Sequence, residues 1–409
     1  MIDCLVVGGG PAGLSAAAEL ARLGARARVV DREATLGGIP RHCHHTGFGL
    51  LDLRRLLTGP RYAQRRVDQA GRAGATLSAE TTAIEWLPGA DGPGLLLSSP
   101  GGLERVRART ILLATGCRER PRAARLVPGS RPLGVYTTGS LQQLAHGHGR
   151  RIGSRAVVIG AEHVSFSAVE TLVERGVDVV AMLTEHAAHQ SYALLRLWVE
   201  RRRGIPLLCG HRVAAIEGQR RVEAVVVEGP AGRRRLVCDT AVFTGAFTPD
   251  HELARAGGLA MDRPAGAPRT DALGRSSVPG VFAAGNLVHA AEIADRAALS
   301  GQAAARAIAR HLDQGGRWPR LVPIECVAPL EWVSPSSVSP GETAPPHGAY
   351  LLRARSFVDR AIVEAWQGER LLERTLVGRL VPNRSAWLDA GFSTRVRGEA
   401  PIVLRVAGR

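Results

Sequence analysis

No lysine occurs among the 409 residues, and all 53 basic side chains are arginine. A lysine Schiff base and a P-loop lysine are therefore excluded. Aromatic residues make up only 4% of the chain, too few for the stacking platforms on which single-stranded nucleic acid binds. The six cysteines, at 4, 43, 117, 209, 238 and 326, form no C-x-x-C pair and no cluster of four. Alone, this chain builds neither a redox dithiol nor an iron–sulfur centre. No apolar run approaches the roughly 18 to 20 residues of a helical membrane span. The first apolar stretch reads as a strand with no basic leader or cleavage site before it. The expectation is a cytoplasmic chain, in a reducing compartment and without structural disulfides, associated with a membrane only through partners.

What is present is a net charge of +16, which suggests nucleic acid, anionic lipid or an acidic protein as partner. The arginines are scattered, with short clusters at Arg201–Arg203 and Arg233–Arg235. Together with the scarcity of aromatics, this argues against nucleic acid and for an acidic partner subunit or anionic ligand. A merely solvated basic surface is the competing reading.

The chain is organised around Cys4–Asp31. Four apolar residues, Cys4 to Val7, run into Gly8-Gly9-Gly10-Pro11-Ala12-Gly13, and an Ala/Leu-rich helix follows at once. In such a βαβ unit Gly8 makes the turn, Gly10 lets the backbone touch a pyrophosphate, and Gly13 lets helix and strand pack closely. The helix N-terminus supplies free N–H donors to the anion. A second strand, Arg26–Val30, ends on Asp31, where a carboxylate takes hydrogen bonds from a ribose and disfavours a 2′-phosphate. These spacings predict dinucleotide binding.

Downstream, Gly37-Gly38 would return the backbone to the pyrophosphate, and residues 37–49 form a Gly/Pro-punctuated loop carrying His42, Cys43, His44 and His45. A metal site there lacks the spaced second ligand pair that zinc usually has. Residues 52–73 read as helix broken at Gly59-Pro60, and 75–110 as short strands with turns at 88–94 and 100–102. Thr81-Thr82-Ala83 would lie beside an adenine, and the run ends in Ala114-Thr115-Gly116. A second βαβ pattern begins at Ala156–Gly160, but position 162, where a glycine would admit a pyrophosphate, holds a glutamate whose bulk and charge should repel one. Residues 187–204 read as a helix rich in leucine and arginine. The strand Val281–Ala284 delivers Gly285-Asn286 to a helix over 294–312. Pro and Ser crowd 319–346 as linker, and 349–407 alternates as β.

The expected fold is α/β. It has two Rossmann-like domains of the three-layer FAD/NAD(P) type, one from 1–118 with 268–315 and a degenerate one over 119–267. A small β-rich cap follows at 316–409.

This order of motifs resembles the pyridine nucleotide-disulfide oxidoreductase group of two-domain flavoproteins over about residues 1–312. Within it, 37–49 and 160–172 look like the FAD subunits of heteromeric amine and amino-acid dehydrogenases, of the hydrogen cyanide synthase, opine oxidase and proline dehydrogenase type. The resemblance implies FAD, with Gly8, Gly10, Pro11, Ala12 and Gly13 at the pyrophosphate and Asp31 with Arg32 at the adenosine ribose. It implies Gly38, Ile39, Arg41 and His42 near the pyrophosphate or flavin, and Ala83, Ala114, Thr115 and Gly116 beside the cofactor. Gly285 and Asn286 fall at the ribityl-phosphate, where the wider group usually has aspartate in place of Asn286. Any iron–sulfur or second flavin centre would belong to another subunit.

A helix starting near Ala294 should aim its N-terminus, with Asp295, Arg296 and Ala297, at the flavin edge where charge collects on reduction. His42, Cys43 and His45 are the candidates for substrate or proton contact, beside the reading that they only orient the ring. Three functions compete: an FAD subunit oxidising an amine or amino acid, a self-contained NAD(P)H-dependent flavin reductase, and a basic RNA-associated binding protein. Glu162 argues against the second and the scattered arginines against the third.

Overall fold

The computed structural model describes residues 2–89, 92–315, 318–341, 345 and 348–408, so parts of the turn expected at 88–94 and of the linker expected over 319–346 lie outside the described residues. The chain divides into two compact units. Residues 1–41, 46–118 and 248–409 form the first, and 42–45 with 119–247 the second. Residues 248–267, expected with the second domain, thus cluster with the first unit.

In the first unit the strand Ile2–Val7 pairs in parallel with Ala27–Val30 on one side and with the far half of Gly102–Leu113 on the other. Val281–Ala283 adds to the same strand in parallel. The near half of Gly102–Leu113 instead pairs antiparallel with Gly94–Ser99, which pairs with Thr82–Trp86. One long strand therefore belongs to a central parallel sheet and to a β-meander. Side chains alternate across a sheet, and here both faces are covered, as parallel sheets require. Cys4, Val6, Val29 and Leu112 pack against Leu14, Ala17, Ala304 and Ile308 of the helices Pro11–Arg22 and Ala294–Gln314. Leu5, Val7, Val30 and Ile111 pack with Leu95, Leu97 and Val106 of the meander. The two helices touch closely because their contact is lined with small residues: a Cβ at Gly301 would lie 2.0 Å from the Ala12 carbonyl oxygen.

The C-terminal residues add two sheets, with strands ordered Ser337–Val338, Val322–Cys326, Ile402–Val406, Val358–Gln367 and Arg370–Leu380 in one, and Leu330–Ser334, Ala349–Ala354 and Ala386–Asp389 in the other. Their inner faces share a core that includes Val322, Ile324, Tyr350, Leu352, Phe392 and Leu404. The linker expected at 319–346 is thus partly strand. Val322 and Ile324 point inward, while Pro323 and Glu325 alternate with them. Two other expectations change. Residues 51–56 are turns, and the helix starts at Gly59 with Pro60 in its first turn. Proline's missing N–H costs nothing there, so Gly-Pro opens this helix rather than breaking it. The helix expected over 187–204 covers only Ala193–Leu197 and a wider turn, Trp198–Arg202.

The second unit has a parallel sheet ordered Val135–Thr137, Thr240–Phe243, Arg155–Ile159, Asp178–Thr184 and Leu207–Cys209, with a three-stranded meander over Arg212–Val237. The helix His163–Glu174 follows its central strand.

Candidate functional site

The glycine turn is set by backbone crowding. Gly8 has φ +113°, and a Cβ there would lie 2.3 Å from the Ala114 carbonyl oxygen. At Gly13 the same atom would lie 1.9 Å from the Gly8 oxygen. Gly10 differs: within the protein its Cβ would meet nothing nearer than the Gly38 Cα at 3.9 Å. The glycine at 10 therefore keeps a space open rather than relieving a clash. Facing that space is the start of the helix Pro11–Arg22, whose first-turn N–H groups at Gly10, Ala12 and Gly13 have no intrahelical acceptor and no capping side chain. Unclaimed donors at a helix start beside a glycine cradle fit a dinucleotide diphosphate.

Asp31 braces this turn. Its Oδ2 accepts from the Gly9 N–H at 2.6 Å and its Oδ1 from the Glu33 N–H at 2.9 Å. The Thr81 N–H donates to the Asp31 carbonyl at 2.8 Å and the Gly37 N–H to the Gly9 carbonyl at 2.7 Å, so both expected loops return to the turn. Ala12, Ala114 and Ala297 form a small apolar cluster, and a Cβ at Gly285 would lie 2.6 Å from that of Ala12. Thr115 donates through Oγ1 to the Asp250 carbonyl at 2.6 Å, and the Asp250 N–H donates to Gly116 at 2.9 Å. Arg32 reaches the Asp250 carboxylate at 3.4 Å. Sequence reasoning misses Asp250, which meets Thr115 only through long-range folding and carries no local signal. Residues 8–13, 31, 38, 114–116, 285 and 297 are thus gathered at the carboxyl ends of the parallel strands, where ligands of open α/β sheets bind.

Other expected contact residues have partners within the protein. Asp295 is 2% exposed, and its carboxylate accepts the Gly49 and Leu51 N–H groups, each at 2.8 Å, which makes it a clamp for that loop. Arg296 pairs with Glu292 at 2.7 Å and lies 4.6 Å over the Trp387 ring. The Asn286 amide bonds the backbone of Glu292 at both ends, at 3.0 and 3.2 Å. Arg41 donates to the Gly38 carbonyl at 3.2 Å and binds Thr35. Ile39 is 57% exposed, and Ala83 lies in the meander, paired with Leu97.

His42, Cys43 and His45 fall in the second unit. The His42 Nε2 lies 3.4 Å from the Gln143 Nε2, Cys43 donates through Sγ to the Gln142 Oε1 at 3.3 Å, and the His44 ring stacks on His146 at 4.0 Å. Burial, with a smaller contribution from Glu119, pushes the Cys43 thiol up to about 12, so it stays a thiol at neutral pH. Nucleophilic chemistry needs the thiolate.

In the second unit, Glu162 stands at the start of the helix His163–Glu174. It is 5% exposed, and its backbone caps the helix: the Glu162 carbonyl accepts the Ser165 N–H at 3.1 Å and the Glu162 N–H donates to the Ser165 Oγ at 3.2 Å. A Cβ at Gly160 would lie 2.8 Å from its Oε2, and one at Gly245 2.5 Å from the same oxygen. The Glu162 side chain thus fills the glycine cradle. Among the described residues, no group of three or more His, Cys, Asp or Glu could hold a metal ion, and no helix is long and apolar enough to cross a membrane.

The glycine turn, its brace and the repeated sheet plan define a protein built from dinucleotide-binding folds. Residues 2–306 match the pyridine nucleotide-disulphide oxidoreductase family, and the chain belongs to it; its cofactor is FAD. The chain is 27% identical over 389 residues to an opine oxidase subunit from Agrobacterium tumefaciens (strain Ach5), covering 87% of this chain and 72% of that protein. It is 27% identical over 262 residues to the alpha subunit of sarcosine oxidase from Corynebacterium sp. (strain U-96), covering 60% of this chain but only 26% of that one. Thioredoxin reductase from T. acidophilum shares the fold with a TM-score of 0.64 at 20% identity, over 75% of this chain and 97% of that chain. L-proline dehydrogenase from P. horikoshii does so with a TM-score of 0.60 at 18% identity, over 76% and 56%.

Proposed function

We propose that this chain is the FAD subunit of an assembly that oxidises an amine or amino acid and passes the electrons to another subunit or a quinone. The observation that carries this reading is the Glu162 side chain in the second glycine cradle, whose bulk argues against a nicotinamide pyrophosphate there and so for another electron donor. The relatives named as opine and sarcosine oxidase subunits supply the substrate class and the expectation of further subunits.

FAD, when bound, would supply the two-electron oxidant for the substrate. The chain's own part is positioning and charge. The first-turn N–H groups of Gly10, Ala12 and Gly13 bind the diphosphate, and Asp31, held by Gly9 and Glu33, takes the ribose hydroxyls. The backbone of Ala114–Gly116 and Gly285 lines the cofactor. The first turn of Ala294–Gln314 offers N–H groups and the positive end of its dipole to charge that develops on reduction. The 42–45 loop belongs to the second unit. Cys43, buried and bonded to Gln142, orients that loop.

The test is anaerobic reduction of the FAD-loaded protein, purified with its natural associates, against a panel of amines and amino acids and against NADH and NADPH. Bleaching of the flavin by one amine class and by neither nicotinamide is expected. Rapid bleaching by NADH or NADPH would overturn the reading in favour of a self-contained reductase.

A further inference from the structure

In the first unit, a cavity of about 710 Å³ lies between the helix Ala294–Gln314 and the C-terminal sheets, with Leu273, His289, Leu299, Ala303, Leu351 and Trp387 on its walls. Its size is that of a small-molecule site rather than of a packing defect.

The charged groups around it are already satisfied. Arg296 is paired with Glu292 at 2.7 Å. The Asp271 carboxylate accepts the Leu273 and Arg275 N–H groups at 2.9 and 3.0 Å, the Arg275 guanidinium at 2.6 Å and the Ser339 hydroxyl at 2.8 Å. One polar side chain stands apart: His289 is 6% exposed, and its Nδ1 has no hydrogen-bond partner among the described residues. Burial holds its pKa below the usual value, so the ring is neutral at pH 7 and presents one donor and one acceptor nitrogen. A buried polar atom left unpaired is costly unless something bonds it.

These features select the occupant. A cavity whose charges are mutually neutralised has nothing to balance a charged ligand. A largely apolar wall with one unpaired imidazole suits a ligand with few polar atoms, one of them a carbonyl. The Trp387 indole, with the Arg296 guanidinium 4.6 Å over its ring, gives the cavity an aromatic wall, and Ala283, Ala303 and Ala304 leave flat surface for a ring.

We infer that this cavity binds a neutral aromatic carbonyl compound of the quinone class, its carbonyl oxygen accepting a hydrogen bond from His289. The position suits the role of electron acceptor. Arg296, Leu299, Ser300 and Ala303 line the cavity, while Ala297 and Gly301 of the same helix pack on Ala12 of the glycine turn. The Ser300 Oγ accepts the Gly285 N–H at 3.1 Å. One helix therefore separates the two places. The reaction balances as an amine losing one C–H and one N–H hydrogen to become an imine, while the quinone takes two electrons and two protons and leaves as the quinol. That role rests on the function proposed above, whereas binding does not.

The experiment measures binding without turnover. The FAD-loaded full chain is titrated calorimetrically with menadione, a naphthoquinone, with no amine present. Saturable binding at one site per chain is expected. Ala303→Phe, which pushes a ring into the cavity, should weaken it by at least about tenfold, and His289→Leu by several-fold, with FAD content and thermal midpoint kept. Should Ala303→Phe not fold, Ala272→Phe reads the same cavity. No saturable binding to the wild type, or equal binding by wild type and the filled variant, would overturn the inference. Menadione binding by a protein that no amine reduces would keep the site and reject only the amine reading.

Discussion

Two glycines of one turn separate a cofactor residue from a folding residue. Gly10→Ala places a Cβ where the protein has room, 3.9 Å from its nearest neighbour, but where the diphosphate would lie. The variant should fold with an unchanged midpoint and lose FAD affinity by at least about tenfold, read from flavin content after dialysis. Gly13→Ala drives the same atom to 1.9 Å from the Gly8 oxygen and should lower the midpoint whether or not FAD is present. If both variants lose only FAD, the packing role assigned to Gly13 is wrong. Glu162 gives the reciprocal test. Glu162→Gly removes the carboxylate that fills the second cradle, while glycine remains an acceptable N-cap, so the stability cost should be only a few tenths of a kcal/mol. NADH should then bind measurably in equilibrium dialysis, where the wild type does not. Equal binding by both proteins would show that the carboxylate is no barrier.

For whole elements, the sequence was most readable where a pattern is local and least where a contact is distant. The strand, turn and helix at Cys4–Gly13 follow from adjacent residues. The brace from Asp31 to Gly9 and the clamp from Asp295 to Gly49 and Leu51 join residues far apart, and neither partner loop advertises its acceptor. Pro and Ser also concealed the strands at Val322–Cys326 and Leu330–Ser334: Pro323 sits between the inward Val322 and Ile324, and a register shift between Leu330 and Trp332 breaks the alternation of the second strand. The clamp has a measurable consequence. Asp295→Ala leaves two backbone donors without their buried carboxylate and should cost about 3 kcal/mol, with Asp295→Asn costing less because one acceptor oxygen survives. Urea melts compare the three proteins, and an Asp295→Ala midpoint equal to wild type would remove the clamp from the account.

The short helix Thr138–Gln142 and the turn after it hold the 42–45 loop in the second unit, and this docking carries a pH dependence. Burial, then the neighbouring His44 and Arg175, push the His146 imidazole down from 6.5 to about 4, with His42 and His45 adding to the shift. The native state therefore keeps His146 neutral, while the unfolded chain takes up a proton below about 6.5. Between those values the unfolded state binds more protons, so stability falls as the solution is acidified from about pH 6.5 to 4. The Glu174 carboxylate, 3.9 Å away, does not reverse the sign. His146→Asn should flatten this decline, read as a smaller drop in midpoint between pH 7 and 5; an unchanged pH slope would put the dependence elsewhere.

At the scale of the whole molecule, the two Rossmann-like folds and the FAD turn were legible because each is written in a short stretch, whereas the grouping of 248–267 with the first unit depends on how distant strands close. Net charge was legible too, and it bears on assembly. A +16 chain repels its own copies and attracts acidic surfaces over a range set by salt. Exposed arginines at 201–203 follow Leu194, 79% exposed, and Leu197, 52% exposed, so the helix Ala193–Leu197 and the wider turn after it join cationic and apolar residues on the surface of the second unit. That pairing suits a partner with an acidic rim around an apolar contact. If this is where another subunit docks, then subunits co-purified at low salt should dissociate as ionic strength rises towards 0.5 M. Arg201→Glu, Arg202→Glu and Arg203→Glu together should weaken association at least about tenfold while leaving FAD content intact. Co-purification that ignores both salt and the triple reversal would assign the basic surface to solvent alone, and the partner would have to be sought on another face.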